Sequence, residues 1–410
     1  MEPDGDHIVV AGMGVEAPGG VDNTASLWRA LTEKRELIGV FPRDRGWPLD
    51  RVGVSADGRF AVPDAGGFLR KATMSDPEYL GVTWAQARAA QRVSWQALEN
   101  AQINPDSVAG EAGGCFMGTS YRTSATTIAE VPGWISNNLR LCGPSVSVDT
   151  ACASGLSALH LAAAAIRNGE CEWALAGAVS VMGEPSAFFE SAKVDELATD
   201  GHCRSFADNA SGTVWAEGAA AVVLERESRA RRLGHPVYGR LLASQINHNS
   251  SYRQHIVPSA AQEQLIRRTI AHAGIAAEKV RLIEGHGGGT RAGDSVEVTA
   301  LQNTYGLTDP ARGGSLLGSV KSNLGHAQGA ASMLGLIKLL LCGVNGQIAP
   351  SLFADTPTTE VDWEASSLRL ASKLEPWPLN DGFRYGAVSS FGMTGTNAHA
   401  ILAMPGTDPS

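Results

Sequence analysis

Residues 146–182, VSVDTACASGLSALHLAAAAIRNGECEWALAGAVSVM, decide the fold of this chain. The segment begins with an apolar strand pattern, VSVDT, continues as a long helix rich in Ala and Leu, and ends with a second apolar strand pattern, WALAGAVSVM. Strands and helices go on alternating through the rest of the chain. This alternation predicts an α/β fold, in which functional residues lie at the ends of the strands.

Cys152 lies in this segment where the first strand gives way to the helix. The free N–H groups and the positive dipole end of a helix favour a thiolate over a thiol. The small side chains of Ala153, Ser154 and Gly155 leave room for a substrate carbonyl to reach the sulfur, as a cysteine nucleophile requires. The competing interpretation is a buried structural cysteine, because Cys is among the most buried residue types.

Composition and charge exclude several classes of function. The chain has 410 residues, with 33 Lys and Arg against 42 Asp and Glu, so its net charge is −9. An acidic chain without a basic run is a poor candidate for binding nucleic acid or an anionic membrane. The six cysteines show neither a CxxC pair nor zinc-site spacing, which favours reduced thiols and no metal.

No signal-peptide pattern is present, and the most apolar helix pattern, residues 333–344, is too short to span a membrane and contains Lys338. We therefore expect a cytoplasmic protein.

A charged segment, residues 227–235 (ESRARRLGH), marks the middle of the chain, and the strand–helix pattern starts again after it. The helix pattern after Cys152 and the one after His326 both begin with small residues and turn apolar, which is weak support for an internal duplication. We expect two similar halves, residues 1–226 with the cysteine and residues 235–410 with two histidine motifs.

Four motifs occur in order: VDTACASG around Cys152, EGHGGGTRAGDSVE around His286, GSVKSNLGHAQGAAS around His326, and the glycine loop SSFGMTGTNAH at residues 389–399. The segments AGMGVEAPGGVDNTASLWRAL, FPRDRGWPLD and ADNASGTVWAEGAAAVVLE accompany them. The set resembles the ketosynthases (β-ketoacyl synthases) of the thiolase superfamily, with the greatest similarity to ketosynthase domains of modular polyketide synthases. The similarity runs along nearly the whole chain, so a purely structural Cys152 becomes the poorer interpretation.

The resemblance implies a thiolase-like five-layered αβαβα fold with internal duplication, assembled as a homodimer. The dimer contact would include residues 137–148, just before the nucleophile. No cofactor of the protein's own is implied. The substrate would arrive on the phosphopantetheine of an acyl or peptidyl carrier protein.

The resemblance also implies the roles of the principal site residues. Cys152 would take an acyl group from the carrier, and the backbone N–H groups of Cys152 and Met393 would form the oxyanion hole. His286 and His326, as neutral imidazoles, would donate hydrogen bonds to the thioester carbonyl of a second substrate and stabilise its enolate.

Supporting roles follow from the same resemblance. Lys321 and Glu297 would hold the histidine side of the site, with Asp294 nearby. Four further residues would bind substrate or pantetheine, or fix and gate the loop beside the cysteine: Thr290, Asn397, Phe391 and Gly288.

The sequence departs from the family pattern at several points. The family loop usually reads HGTGT, but residues 286–290 read HGGGT, so Gly288 lacks a hydroxyl expected to contact pantetheine. Residues 80–92 (LGVTWAQARAAQR) form a shorter segment than the family counterpart, and the polar loop at residues 252–255 is unusual. No acyltransferase or carrier sequence is attached, so we expect a free-standing, diverged member.

Four functions remain to be compared. The first is carbon–carbon bond formation by a Claisen-type condensation through a Cys152 acyl-enzyme. The second is a ketosynthase-like cyclase, as in salinosporamide-type pathways, which releases one tethered chain as a γ-lactam-β-lactone. A non-catalytic chain-length factor would generally lack Cys152. A degradative thiolase would need a second Cys in the glycine loop, and FGMTGTNAH has none. The acyl chain, the product and the carrier stay open.

Overall fold

The computed structural model describes residues 6–50, 52–53, 62–70, 72, 82–119, 127–250, 259–307 and 314–406. The polar loop at residues 252–255 and the first two residues of the shortened segment 80–92 lie outside the described residues. The remainder of that segment opens the long helix α2.

The helices are α1 (Thr24–Thr32), α2 (Val82–Asn100), α3 (Glu130–Leu139), α4 (Ser154–Arg167), α5 (Ser186–Ala192), α6 (Glu227–Leu233), α7 (Ser259–Ala273), α8 (Arg291–Gln302), α9 (Lys321–Leu324) and α10 (Ala331–Asn345). The strands are β1 (Ile8–Glu16), β2 (Gly113–Gly118), β3 (Ser145–Val148), β4 (Trp173–Ser180), β5 (Gly218–Arg226), β6 (Gly239–His248), β7 (Val280–Glu284), β8 (Leu316–Gly318), β9 (Gln347–Ile348), β10 (Arg369–Leu370), β11 (Glu375–Pro376), β12 (Phe383–Phe391) and β13 (Thr396–Pro405).

The two halves of the chain share one strand order. In the first half the order is β3-β2-β4-β5-β1, and in the second it is β8-β7-β12-β13-β6, with β10 added beside β8. The directions also agree: β2 is parallel to β3 and β4 as β7 is to β8 and β12, and β5 and β13 are antiparallel to their neighbours. Strands β1 and β6 join the halves over three residues, Ile8–Val10. The same fold is therefore built twice.

Side chains alternate between the two faces of each strand and so define separate layers. In β4, Ala174 packs toward the central helices α4 and α10, whereas Trp173 and Leu175 pack toward α2 and α3. In β13, Leu402 packs toward the same central helices and Ile401 toward α7 and α8. The layers are thus helix, sheet, helix, sheet and helix, and the predicted five-layered αβαβα fold with internal duplication is confirmed.

The central helices are closely packed because small side chains lie at their contacts. A Cβ at Gly155 of α4 would lie 2.5 Å from Cγ of Met333 in α10, so the backbone of α4 comes close to the Met333 side chain. Helix α4 also approaches β2, because a Cβ at Gly118 would lie 2.7 Å from the carbonyl carbon of Ser154. This packing sets the position of the N-terminal end of α4, where Cys152 lies.

Helix α10 with the turn before it, Gln328–Asn345, is longer than the sequence indicated. The segment has 18 residues and a mean hydropathy of 1.3, enough by length and composition to cross a membrane, but 83% of it is buried inside the protein, as in a core helix. Lys338 within it is fully buried, with Nζ 2.9 Å from Oε2 of Glu284 at the end of β7. An ion pair therefore replaces the water that Lys338 would otherwise need.

Candidate active site

A strained turn holds Cys152 between β3 and α4. Ala151, just before it, has a φ of 51°, a left-handed conformation that costs free energy for a residue with a Cβ. The Ser154 hydroxyl accepts the N–H of Thr150 at 2.9 Å and donates to the carbonyl of Ala151 at 2.6 Å. From the second half of the chain, the Ser390 hydroxyl donates to the carbonyl of Cys152 at 2.8 Å. The turn is thus fixed from both sides.

The sulfur of Cys152 is buried among hydrogen-bond donors. Burial raises the pKa of the Cys152 thiol, while the charge of Lys321 and the backbone N–H groups of Met393 and Cys152 lower it. Burial has the larger effect, so the pKa of the resting thiol lies above its ordinary value, although the N–H groups at this turn act in the direction expected from the sequence. The backbone N–H groups of Met393 and Cys152 thus act on the group at this position, and Met393 and Cys152 line the same cavity.

The hydrogen bonds of His286 and His326 set their tautomers. The N–H of Gln328 donates to Nδ1 of His326 at 3.0 Å, and the N–H of Phe391 donates to Nδ1 of His286 at 3.3 Å. With Nδ1 an acceptor in each ring, the proton of the neutral imidazole is assigned to Nε2. The two ring centroids are 5.3 Å apart, with the planes inclined at 74°. Among the described residues, each ring therefore has one N–H donor, Nε2–H, that is not used in holding the ring.

Both histidines are neutral at pH 7. Burial lowers the pKa of each well below its ordinary value, and the charge of Lys321 lowers both further. The neighbouring His326 also lowers the pKa of His286. A neutral imidazole can donate to a carbonyl oxygen while charge develops on that oxygen, so the pair suits the stabilisation of an enolate.

Lys321 and Glu297 hold the loop of His286 by separate bonds. The Glu297 carboxylate accepts the N–H groups of His286 at 2.6 Å and Gly287 at 2.8 Å. The Lys321 ammonium donates to the carbonyl of His286. Burial raises the pKa of Glu297 to about 7, against the lowering effect of the two amides. The two side chains thus act on the backbone of the same loop, as expected of supporting residues.

Asp294 supports the next turn of the same loop. Its carboxylate accepts the N–H of Phe206 at 2.6 Å and of Gly289 at 3.2 Å. Burial raises its pKa to about 7, again opposed mainly by these amides. Asp294 therefore ties the glycine turn to the segment around Phe206.

A cavity of about 130 Å³ joins these groups. Its walls contain the three principal residues and most of the predicted substrate contacts: Cys152, His286, His326, Thr290, Gly288, Phe391 and Met393, with Asp294 and Glu297. The Phe391 ring is buried against His286, with centroids 5.8 Å apart, whereas the Met393 side chain is 64% exposed.

Asn397 lies outside this cavity. It is fully buried on β13, and its amide donates to Oδ1 of Asn247 on β6 at 2.9 Å. Asn247 in turn donates to the carbonyl of Ala261 in α7. The structure therefore fits the loop-fixing alternative for Asn397 and not a contact with pantetheine.

Six further residues line the cavity that the sequence did not single out as site residues: Trp215, Glu196, Thr213, Gln262, Gly293 and Gly392. The Trp215 ring lies 5.1 Å from that of His326 and donates through its indole N–H to Ser191. Trp215 was detectable as part of the VWAEG motif. Glu196 lies in the short turn segment after α5 and belongs to none of the motifs, so no local signal marked it. Within the described residues, no cluster of three or more His, Cys, Asp or Glu could hold a metal ion.

Two family models match the chain: β-ketoacyl synthase, N-terminal domain, over residues 5–230, and β-ketoacyl synthase, C-terminal domain, over residues 238–355. Polyketide synthase GfsE of Streptomyces halstedii is 40% identical over 96% of this chain and 11% of its own length. Mycoketide-CoA synthase of Mycobacterium tuberculosis is 38% identical over 98% of this chain and 10% of its own length. The chain thus spans about a tenth of these curated relatives.

Solved structures show the same fold. An oxazolomycin ketosynthase domain from Streptomyces albus JA3453 superimposes with a TM-score of 0.90 and 34% identity over 99% of this chain and 76% of that chain. The ketosynthase from module 6 of the bacillaene synthase of Bacillus subtilis 168 superimposes with a TM-score of 0.87 and 31% identity over 98% and 73%. These relatives favour a polyketide ketosynthase over the cyclase considered from the sequence.

Proposed function

Because this chain belongs to the β-ketoacyl synthase family, we propose that it is a condensing acyltransferase that works through an acyl-enzyme on Cys152. The observation that carries the proposal is the arrangement around one cavity, which brings Cys152 and Met393 together with two neutral histidines that each have an Nε2–H to donate. These are the groups that acyl transfer followed by enolate formation needs.

The first step is acylation. The Cys152 sulfur loses its proton and attacks the thioester carbonyl of an acyl group carried on phosphopantetheine. The oxyanion of the tetrahedral intermediate accepts hydrogen bonds from the N–H groups of Cys152 and Met393. The carbon–sulfur bond to pantetheine then breaks, and the pantetheine thiol leaves with a proton. The charge of Lys321 lowers the pKa of the thiol and so makes its deprotonation easier.

The second step is a Claisen-type condensation with a malonyl thioester on a carrier. Its thioester carbonyl accepts hydrogen bonds from Nε2–H of His286 and His326. Loss of carbon dioxide leaves an enolate, whose oxygen these donors stabilise because the charge is greater there than in the starting thioester. The enolate carbon attacks the acyl carbonyl, the bond to the Cys152 sulfur breaks, and the product stays on the second carrier.

The partners follow from this chemistry. We propose an acyl or peptidyl carrier protein as the donor of the substrate, a cytoplasmic location, and two halves, residues 1–226 and 235–410, that act as one catalytic unit. We also propose a homodimer. Strand β3 ends the sheet and is partly exposed, and an unpaired edge strand offers N–H and C=O groups to a second chain. A monomer in light scattering at micromolar concentration would contradict the dimer.

Intact-mass analysis tests the acyl-enzyme. The wild-type protein, Cys152→Ala and the control Cys142→Ala, which removes an exposed cysteine, are incubated with acyl-pantetheine thioesters. We expect a single acyl mass increase on the wild type and on Cys142→Ala, and none on Cys152→Ala. A stable acyl group on Cys152→Ala would show that the nucleophile is another residue.

Release of labelled carbon dioxide tests the second step. Labelled malonyl-carrier is added to acyl-loaded protein, with His286→Ala, His326→Ala and the exposed control His272→Ala in parallel. We expect release by the wild type and by His272→Ala, and acyl-enzyme that accumulates without release in the other two. Turnover of one tethered chain to a ring, without carbon dioxide, would contradict condensation and support cyclisation.

A further inference from the structure

One wall of the cavity carries a carboxylate that the proposed reaction does not use. Glu196, half-buried between α5 and the segment at Ala198, lines the same cavity as Cys152. Its charge raises the pKa of the Cys152 thiol, which is what a carboxylate near the sulfur does. This charge works against formation of the thiolate, so its presence needs another reason.

Thr213 lies on the same wall. Its N–H donates to the carbonyl of Glu196, and the N–H of Ala198 donates to the carbonyl of Thr213, each at 2.7 Å, so the two segments are held together. Thr213 is only 5% exposed, and its hydroxyl has no hydrogen-bond partner among the described residues. A buried hydroxyl without a partner costs free energy, which a ligand that bonds to it would recover.

The chemistry of this wall selects against a plain hydrocarbon. A carboxylate accepts hydrogen bonds at about four positions, so it can bond to a donor on a substrate as well as to groups of the protein. An aliphatic acyl chain against the wall would remove water from Glu196, leave the Thr213 hydroxyl without a partner, and give nothing in return. A chain with an N–H or O–H group would replace that water.

We propose that the acyl group accepted by Cys152 carries a hydrogen-bond donor, a hydroxyl, amide N–H or ammonium group, that binds the Glu196 carboxylate, with the Thr213 hydroxyl as a second partner. The inference rests on the proposed acylation of Cys152 and names the class of substrate for it.

Matched acyl-pantetheine thioesters test this. Chains of equal length carry a hydroxyl, an amide N–H, an ammonium group or only a methylene at the same carbon, and that carbon is moved along the chain. Intact mass gives the second-order rate constant for acylation of Cys152. Because a hydrogen bond to a charged group is worth more than a neutral one, we expect the best donor chain to react roughly 10- to 100-fold faster than its hydrocarbon match.

Variants then assign the preference. Glu196→Gln keeps the shape but not the charge, so the ammonium chain should lose the most, and Glu196→Leu should remove the preference altogether. Thr213→Val, nearly isosteric, should reduce it by about 2- to 12-fold, as expected for one neutral hydrogen bond. The control Glu190→Gln changes an exposed carboxylate on α5 and should leave the preference as it is.

The outcomes separate the inference from the reaction on which it rests. Equal rates for all chains, with acylation still on Cys152, would overturn the inference and leave the acyl-enzyme standing. A donor preference that survives in Glu196→Leu, with circular dichroism showing a folded protein, would also overturn it. Failure of every chain to load would overturn the acylation itself and the inference with it.

Discussion

The three glycines after His286 give a prediction that the structure makes quantitative. A Cβ at Gly288 would meet only the His286 ring, at 3.7 Å from Nε2 and 3.9 Å from Cδ2, which is ordinary contact. Gly287 has a φ of 47°, and its Cβ would lie 2.8 Å from Cβ of Ser319. Gly289 has a φ of 80°, and its Cβ would lie 2.7 Å from the carbonyl oxygen of Gly212. Only the middle glycine can therefore accept a side chain.

Alanine substitutions measure this difference. A left-handed conformation costs a residue with a Cβ roughly 1–2 kcal/mol, and overpacking costs about 1–3 kcal/mol. Gly287→Ala and Gly289→Ala should thus each lower the free energy of unfolding by about 2–5 kcal/mol. Gly288→Ala should be neutral or stabilise by about 0.4–1 kcal/mol, because alanine restricts the unfolded chain. Urea unfolding with an unchanged m-value gives these differences.

A loss of stability in Gly288→Ala would refute the prediction that this position accepts a side chain. If this variant is destabilised as much as Gly287→Ala, the loop does not have the backbone described here. Three variants within about 1 kcal/mol of the wild type would refute both the strain and the overlap at the outer glycines.

The open space at Gly288 also allows the missing hydroxyl to be restored. If the pantetheine of the second substrate passes this loop, Gly288→Thr should lower KM for the malonyl-carrier by about 2- to 12-fold, the value of one neutral hydrogen bond. Gly288→Val, which adds the same shape without the hydroxyl, is the control. Equal KM values for the two variants would contradict a pantetheine contact at this position.

Three further predictions follow from the buried charges. Lys338→Met should destabilise the protein by roughly 3–5 kcal/mol, because it leaves the charge of Glu284 buried alone, and adding Glu284→Gln should restore much of that loss in urea unfolding. The rate at which iodoacetamide alkylates Cys152 should still rise with pH above about 8.5, the pKa of a free thiol. Lys321→Met should make this alkylation slower than in the wild type, because Lys321 lowers the pKa of the thiol. A rate that reaches a plateau near pH 7 would mean a resting thiolate. Because the pKa of Asp294 is raised from its ordinary value to about 7 in the folded protein, this group makes the free energy of unfolding fall as pH rises from 4 to 7, whereas the lowered pKa values of buried His286 and His326 make it rise. The contribution of Asp294 is isolated by its variant: over this range the free energy of unfolding of the wild type should fall relative to that of Asp294→Asn, measured by urea unfolding at each pH.

The sequence alone determined the fold class and indicated the candidate nucleophile Cys152 and the two histidine motifs. The reason is that these depend on local patterns: apolar strands and helices alternate with a regular period, and small residues surround Cys152 at a strand–helix turn. The repeated half was visible only weakly, in the helices after Cys152 and His326. The shared strand order became visible only when the sheets were formed, because strand pairing joins residues far apart in the chain.

The tertiary structure alone decided the chemistry of the cavity. The pKa of the Cys152 thiol is raised by burial and lowered by Lys321 and Met393, which come from the second half of the chain. The proton of His286 is assigned to Nε2 because the N–H of Phe391, 105 residues away, occupies Nδ1. Asn397 lies among strands and not in the cavity, and Glu196 lies in it without any motif. Desolvation and hydrogen-bond geometry come from neighbours in space, so no local pattern of residues contains them.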